Sequence, residues 1–360
     1  MSYSDTVKRT WNDNRLMSVL LELTYACNLN CSFCYNDLTL GGQRLSLEQY
    51  RALLDDLAFL GVLNLSLSGG EPLAHPRFFE IASHARRLGF VIRLKTNGHA
   101  VRESVARRIR DEVDPFLIEV SVHGARAESH DRQTQVAGSF ERLIANIRTM
   151  KSLGLRVKAN SVLTRWNEDE VEAMLDLFEE LDVRLQIDPE VKPMDDGDPG
   201  PLAIEATAEG QARYRRALEA RARRNAAARA APSPAEARKA VMAGTDKHCG
   251  AGSNTIAVDP YGRVLPCVQW RLPVGNLHEQ RITDIWAGSA ALQDVRETTK
   301  TVRRKLDALG EAGRLSNFCP GAAHTHVGDP LAIYPAAEQR MAAPGRAQVR
   351  LTVLSRRGAK

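Results

Sequence analysis

The chain has 360 residues, 43% hydrophobic and 26% charged, which suits one large domain plus a smaller one with a substantial core. Its net charge of +5 is concentrated: residues 211–240 carry nine Lys/Arg against two Glu, residues 336–360 six against one, and the remainder is acidic. No apolar run approaches the ~18 residues of a membrane span, no secretory signal opens the chain, and an acidic main body disfavours a nucleic-acid groove, so a cytoplasmic location is expected.

Residues 1–15 read as a polar N-terminal extension. From 16 to 190 short Val/Ile/Leu-rich runs predict strands at 17–24, 62–68, 90–96, 116–122, 155–163 and 183–188. Helical stretches fall between them near 46–60, 76–88, 100–112, 139–153 and 167–181, with start signals at Ser46 and at Ser139, two residues before Glu141. Six strands alternating with helices imply a parallel sheet with right-handed crossovers, too few for a closed eight-stranded barrel. The predicted fold class is therefore α/β, a partial (β/α)6 TIM-like barrel over 16–190, with its chemistry at the C-terminal ends of the strands.

Residues 191–245 read as a helical linker, from the loop Pro193–Pro199 through a basic helix to the break at Ala231-Pro232-Ser233-Pro234. A smaller α+β domain follows at 246–330, and 331–360 reads as a basic, irregular tail.

Six cysteines fall into two groups of three: Cys27, Cys31 and Cys34, then Cys249, Cys267 and Cys319. In a reducing compartment such spacing points to metal or redox chemistry rather than disulfides. Cys27, Cys31 and Cys34 follow the first strand within eight residues and can converge on one face of a loop. Three thiolates on a 4Fe–4S cluster leave one iron open to a small molecule, whereas structural zinc usually wants four ligands, and no fourth lies nearby. Gly69-Gly70-Glu71-Pro72 ends the second strand; the glycines allow close backbone approach, and Glu71 can accept from an ammonium group or simply sit in a turn. Asn97 and Ser121 stand at the ends of the third and fourth strands, and Asn160 lies in the fifth.

The Cys-x3-Cys-x2-Cys arrangement, with Phe33 before the last cysteine, resembles the signature of the radical S-adenosylmethionine (SAM) superfamily. The resemblance implies that Cys27, Cys31 and Cys34 hold a 4Fe–4S cluster with exchangeable SAM, and that the Gly69–Pro72 motif receives the SAM amino group. Phe33, Gly69, Gly70, Glu71, Pro72, Asn97, Ser121 and Asn160 are then the expected cofactor-binding residues. Ser121-Val122-His123-Gly124 resembles the Ser-x-Asp-Gly element of relatives, with His123 in place of Asp. Thr134 stands where many relatives carry an arginine proposed to hold the SAM carboxylate, with Arg132 two positions earlier.

Cys249-Gly250-Ala251-Gly252 and the segment Val258–Cys267 read as a hairpin about Asp259–Gly262 and resemble the opening of a SPASM or twitch domain. That implies one auxiliary 4Fe–4S cluster on Cys249, Cys267 and Cys319. His248, His324, His326, a substrate atom or nothing would be the fourth ligand, and three structural cysteines or a zinc site remain the bland alternative.

The implied reaction is reductive cleavage of SAM to a 5′-deoxyadenosyl radical that abstracts hydrogen from substrate. Among the acids after the sixth strand (Asp188, Glu190, Asp195, Asp196 and Asp198), Asp188 is the candidate catalytic base, though turn acids would look the same. The layout suggests oxidative modification of a ribosomally made peptide, with a flavodoxin- or ferredoxin-type electron donor. Because Cys27 lies close to the start of the sequence, a separate peptide-recognition protein is expected as well. The alternatives are a small-molecule enzyme, such as a dehydrogenase or a step in cofactor or tetrapyrrole synthesis, and a non-catalytic metal-binding protein.

Overall fold

Six strands form where the alternation places them: β1 (Ser18–Thr24), β2 (Asn64–Gly69), β3 (Val91–Thr96), β4 (Leu117–Ser121), β5 (Val157–Val162) and β6 (Arg184–Asp188). The computed structural model describes residues 3–37, 39–224, 244–310, 313 and 316–342. Each strand pairs in parallel with its neighbour in sequence order, giving the partial barrel expected of six strand–helix units. Leu65, Leu67, Ile92, Leu94, Ile118 and Val120 face outward against the helices and are fully buried or nearly so. Each such side chain contributes ~1.5–3 kcal/mol by leaving water.

The helices are α1 (Tyr3–Asn12), α2 (Leu47–Phe59), α3 (Phe78–Arg87), α4 (Glu103–Arg108), α5 (Ala127–Thr134), α6 (Ser139–Ser152) and α7 (Val171–Glu180). Ser46 starts α2 through a complete capping box with Gln49. At α6 the expected start signal is displaced: Gly138 is the cap, and the Asp131 carboxylate accepts from the backbone of Gly138 and Phe140 and from Ser139 Oγ. The chain ahead of β1 is also regular, because α1 docks on the C-terminal region, where Asn254 Nδ2 donates to Thr10 Oγ1 at 3.1 Å.

The C-terminal region extends the same sheet. β7 (Thr255–Val258) pairs in parallel with β1, and β8 (Arg263–Leu265) and β9 (Gly275–Asn276) follow antiparallel, so the order is β6-β5-β4-β3-β2-β1-β7-β8-β9. The hairpin read around Asp259–Gly262 is β7–β8. Helices α9 (Ile282–Gly288), α10 (Ala290–Ala308), α11 (Pro320–Val327) and α12 (Pro335–Ala342) follow among the described residues. Where an irregular tail was expected, α12 buries Ala337 and Met341 in a small core with Phe318 and Tyr334; residues 343–360 lie outside the described part.

Of the basic linker, α8 (Ala208–Arg224) is described; the Pro-rich break lies outside the described residues. Its charge is partly spent on the barrel: Arg221 pairs with Asp176 and Glu179 of α7, and Arg213 with Asp169. Tyr214 Oη donates to Ile187 O at 2.9 Å, covering the outer edge of β6. Among the described residues no helix is long and apolar enough to cross a membrane.

Candidate functional site

A cavity of about 810 Å³ opens at the C-terminal ends of the barrel strands, and all six cysteines lie on its wall. Strand β1 ends at Thr24 and releases the loop that carries Cys27, Cys31 and Cys34. The end of α5 clamps that loop: Asn30 N donates to Thr134 O at 3.1 Å and Ser32 N to Gln133 O at 3.0 Å, while the Gln135 side chain bonds Asn30 and Ser32. Helix α5 was not legible in the sequence, yet it fixes the thiols.

Burial raises the pKa of all three thiols, Cys31 to about 12, and Cys31 is raised further by the charges of Cys34 and Cys27. The three sulfurs are thus close enough to repel one another when ionised. Binding to iron removes that penalty, since a coordinating thiol is deprotonated by the metal. The donor set therefore fits an iron–sulfur cluster held by three thiolates. Among the described residues no three His, Cys, Asp or Glu side chains are gathered tightly enough for a single metal ion.

The Gly69–Pro72 motif divides. Gly69 and Gly70 line the cavity, and Gly70 packs so tightly that a Cβ there would sit 2.6 Å from Tyr25 O and 2.7 Å from Ala26 O, on the backbone leading to Cys27. Glu71 and Pro72 are buried off the wall. The Glu71 carboxylate accepts from Thr96 Oγ1, Asn97 N and Leu73 N, so the chain's own donors fill the role expected of a ligand ammonium. Its work here is to tie the end of β2 to the end of β3. Gly70→Ala is expected to push the cysteine loop outward and cost ~1–3 kcal/mol. Thermal unfolding together with iron content after reconstitution measures this; an unchanged Tm and full iron would contradict the close approach.

Phe33, Asn97, Ser121 and Asn160 all reach the cavity. Asn97 Nδ2 donates to Asn28 Oδ1 at 2.8 Å and lies 3.7 Å from Cys27 Sγ. Asn160 Nδ2 donates to Glu119 Oε2 at 2.8 Å. The Phe33 ring packs 4.2 Å from the His123 ring, and burial followed by His130 holds His123 well below its ordinary pKa, in the neutral form. Arg132 does not reach the wall; its guanidinium lies 4.3 Å over the Trp166 ring. Thr134 does reach it, with its hydroxyl 2.7 Å from Ser139 Oγ.

The acids that follow β6 separate into three environments. Asp188 and Glu190 line the cavity, Glu190 paired with Lys192 at 2.6 Å. Asp195 turns inward to Arg271, and Asp196 and Asp198 cap turns through Asp198 N and Gly200 N.

The second thiol group is assembled from distant segments. Cys249 precedes β7, Cys267 follows β8, and Cys319 caps α11, accepting from Ala322 N at 3.4 Å. Burial first, then the charges of Cys319 and Cys249, raise the Cys267 thiol. Gly321 makes the approach possible, because a Cβ there would meet Gln269 O at 2.4 Å. His248, His324 and His326 are not among the wall residues; His248 Nε2 bonds Phe318 O at 2.7 Å, and His326 stacks on Tyr334.

A polar row that sequence reading passed over also lines the cavity: Lys95, Glu119, Lys158 and Gln186. Its signal was present, since polar residues at every second position of parallel strands contradict the continuous apolar runs such strands usually show.

Residues 21–178 match the radical SAM superfamily, and residues 249–308 match SPASM, an iron–sulfur cluster-binding domain. A PqqA peptide cyclase of Streptomyces rochei is 32% identical over 310 residues, 78% of each chain. An AdoMet-dependent heme synthase of Methanosarcina barkeri is 26% identical over 326 residues, 86% of this chain and 93% of that one. In fold, the crystal structure of Streptococcus suis SuiB bound to S-adenosylmethionine superposes with a TM-score of 0.65 at 16% identity, covering 81% of this chain and 70% of that one. The cofactors are accordingly SAM and 4Fe–4S clusters. Two thiol groups around one cavity at the strand ends of a partial barrel, and matches to both parts of the chain, make this protein a member of the radical SAM superfamily with a C-terminal SPASM domain.

Proposed function

We propose that this enzyme carries out an oxidative modification of a ribosomally made peptide, with Cys27, Cys31 and Cys34 holding the SAM-binding cluster and Cys249, Cys267 and Cys319 an auxiliary one. The observation that carries the reading is that both thiol groups border one cavity, so substrate between them can meet a radical source and an electron acceptor. The S. rochei relative is a peptide cyclase, and SuiB has a structure bound to its precursor peptide SuiA, which supports a peptide as substrate.

When bound, the reduced cluster and SAM supply a 5′-deoxyadenosyl radical that takes a hydrogen atom from substrate. The chain's own residues position and shield. Asn97, Ser121 and Asn160 offer polar groups at the strand ends, and Gly69 and Gly70 leave backbone open to SAM. Phe33 and neutral His123 form an apolar patch beside the cluster loop. Asp188, exposed at the mouth, takes up the proton released as the substrate is oxidised. A flavodoxin- or ferredoxin-type donor and a peptide-recognition protein are the partners this reading calls for.

A small-molecule substrate is the second reading, favoured by the heme synthase relative, whose length the chain covers almost fully. Anaerobic turnover with any short peptide encoded beside the gene, and with tetrapyrroles, separates the two. Loss of two hydrogen atoms from one peptide, dependent on SAM, is the expected result. Turnover of a tetrapyrrole with every peptide unchanged would overturn the peptide reading.

A further inference from the structure

The inner face of the barrel carries a row of charge one layer below the strand ends. Strand register places Lys95 beside Glu119, Glu119 beside Lys158, and Lys158 beside Arg184, with Arg93 one layer below Lys95. Three cations, Arg93, Lys95 and Lys158, therefore surround one carboxylate, and Arg184 adds a fourth positive charge beside Lys158. The pairs are loose: Glu119 lies 3.6 Å from Arg93, 3.9 Å from Lys95 and 3.7 Å from Lys158, all beyond the ~2.7–3.2 Å of a hydrogen bond. The Lys95 ammonium makes no hydrogen bond among the described residues, and an ammonium has three donors to give.

Like charges on neighbouring strands destabilise a sheet. Burial makes it worse for Lys158, lowering its pKa against the attraction of Glu119 and with the help of Lys95. Glu119 is already fully used: burial opposes its charge, but Lys95, Asn160 and Lys158 outweigh that and hold its carboxyl below the usual range. The row thus lacks negative charge, on the wall of a cavity of substrate size.

The geometry points to a carboxylate of the substrate, the side chain of an acidic residue in the peptide, bound between Lys95 and Lys158. This rests on the peptide reading above for its source, but the carboxylate chemistry stands on the row itself. Strand-end Asn97, Ser121 and Asn160 form an uncharged layer above the row, which leaves the cations facing substrate deeper in the barrel.

The test uses the reconstituted, SAM-loaded enzyme and calorimetric titration with capped Ala-Glu-Ala, capped Ala-Gln-Ala and propionate. The Glu peptide is expected to bind and the Gln peptide not. Lys95→Gln and Lys158→Gln should each weaken the Glu peptide by about tenfold or more, whereas Lys95→Arg should retain it. Equal binding of the two peptides, or no acid bound at all, would overturn the inference. So would a parallel rise in the SAM dissociation constant of the lysine variants, because the row would then hold the carboxylate of SAM. Propionate bound as tightly as the Glu peptide, and lost in the same variants, supports the carboxylate site while removing the peptide as its source. Lysine-dependent binding of a carboxylate in an enzyme that modifies no peptide would sink the proposed function and leave the carboxylate site standing with another source.

Discussion

Replacing Cys27, Cys31 and Cys34 together by alanine is expected to abolish formation of 5′-deoxyadenosine and lower the iron content from about eight to about four per chain. The three thiols share one loop and one wall of the cavity, and nothing else on the loop can replace them as soft ligands. Changing Cys249, Cys267 and Cys319 instead should also remove about four irons, yet leave SAM cleavage measurable. This second variant carries a stability cost of its own, ~1 kcal/mol or so, since Cys319 caps α11. Anaerobic reconstitution with iron and sulfide analysis, and product detection under dithionite, reads both outcomes. If the first variant kept its iron and its cleavage activity, the site assignment would fail. If the parent held about four irons and the second variant lost none, the auxiliary cluster would not exist.

Arg271→Met is expected to cost ~3–5 kcal/mol. Arg271 is buried in a knot with Glu22 of β1, at 2.7 and 2.9 Å, and with Asp195 of the loop after β6. Tyr25 Oη also donates to Glu22 at 2.9 Å, and Asp195 N donates to Tyr35 O at 2.6 Å, beside Cys34. One guanidinium therefore fastens the segment after Cys267 to the strand that launches the first cysteine loop and to the loop after β6. Removing it leaves two buried carboxylates with no cation between them. Burial already pushes the Asp195 carboxyl up to about 6 with Arg271 in place. In the variant the Asp195 carboxyl should be easier still to protonate, which relieves part of the stranded charge. A folded pKa raised above the unfolded value favours the fold at low pH and loses that advantage as pH rises. The loss of Tm should accordingly be smaller near pH 6 than near pH 8. A penalty independent of pH would mean that lost packing, not stranded charge, dominates.

What the sequence determined by itself was whatever is written in short windows. The alternation of apolar strands and amphipathic helices gave β1 to β6 to within a residue or two at most ends, because burial on a parallel sheet demands it. The Cys27–Cys34 spacing and the two glycines were legible for the same local reason, since loop chemistry and close backbone approach act over a few residues. Long-range contacts decided the rest. The pairing of β7 with β1 joins residues more than two hundred positions apart, and no periodicity marks the partner. Glu71 looked free to take a ligand, and only the neighbouring end of β3 shows it occupied by Thr96 and Asn97. Helix α5 is short and polar, with little propensity signal, and exists because Asp131, His130 and Gln133 find partners in other elements. The acids after β6 read as one cluster, but Asp195 belongs to Arg271 and Asp188 to the cavity. Lys95, Glu119 and Lys158 lie on three strands, and only their register turns three scattered charges into one surface, because a sheet sets neighbours by hydrogen-bond pairing rather than by sequence distance.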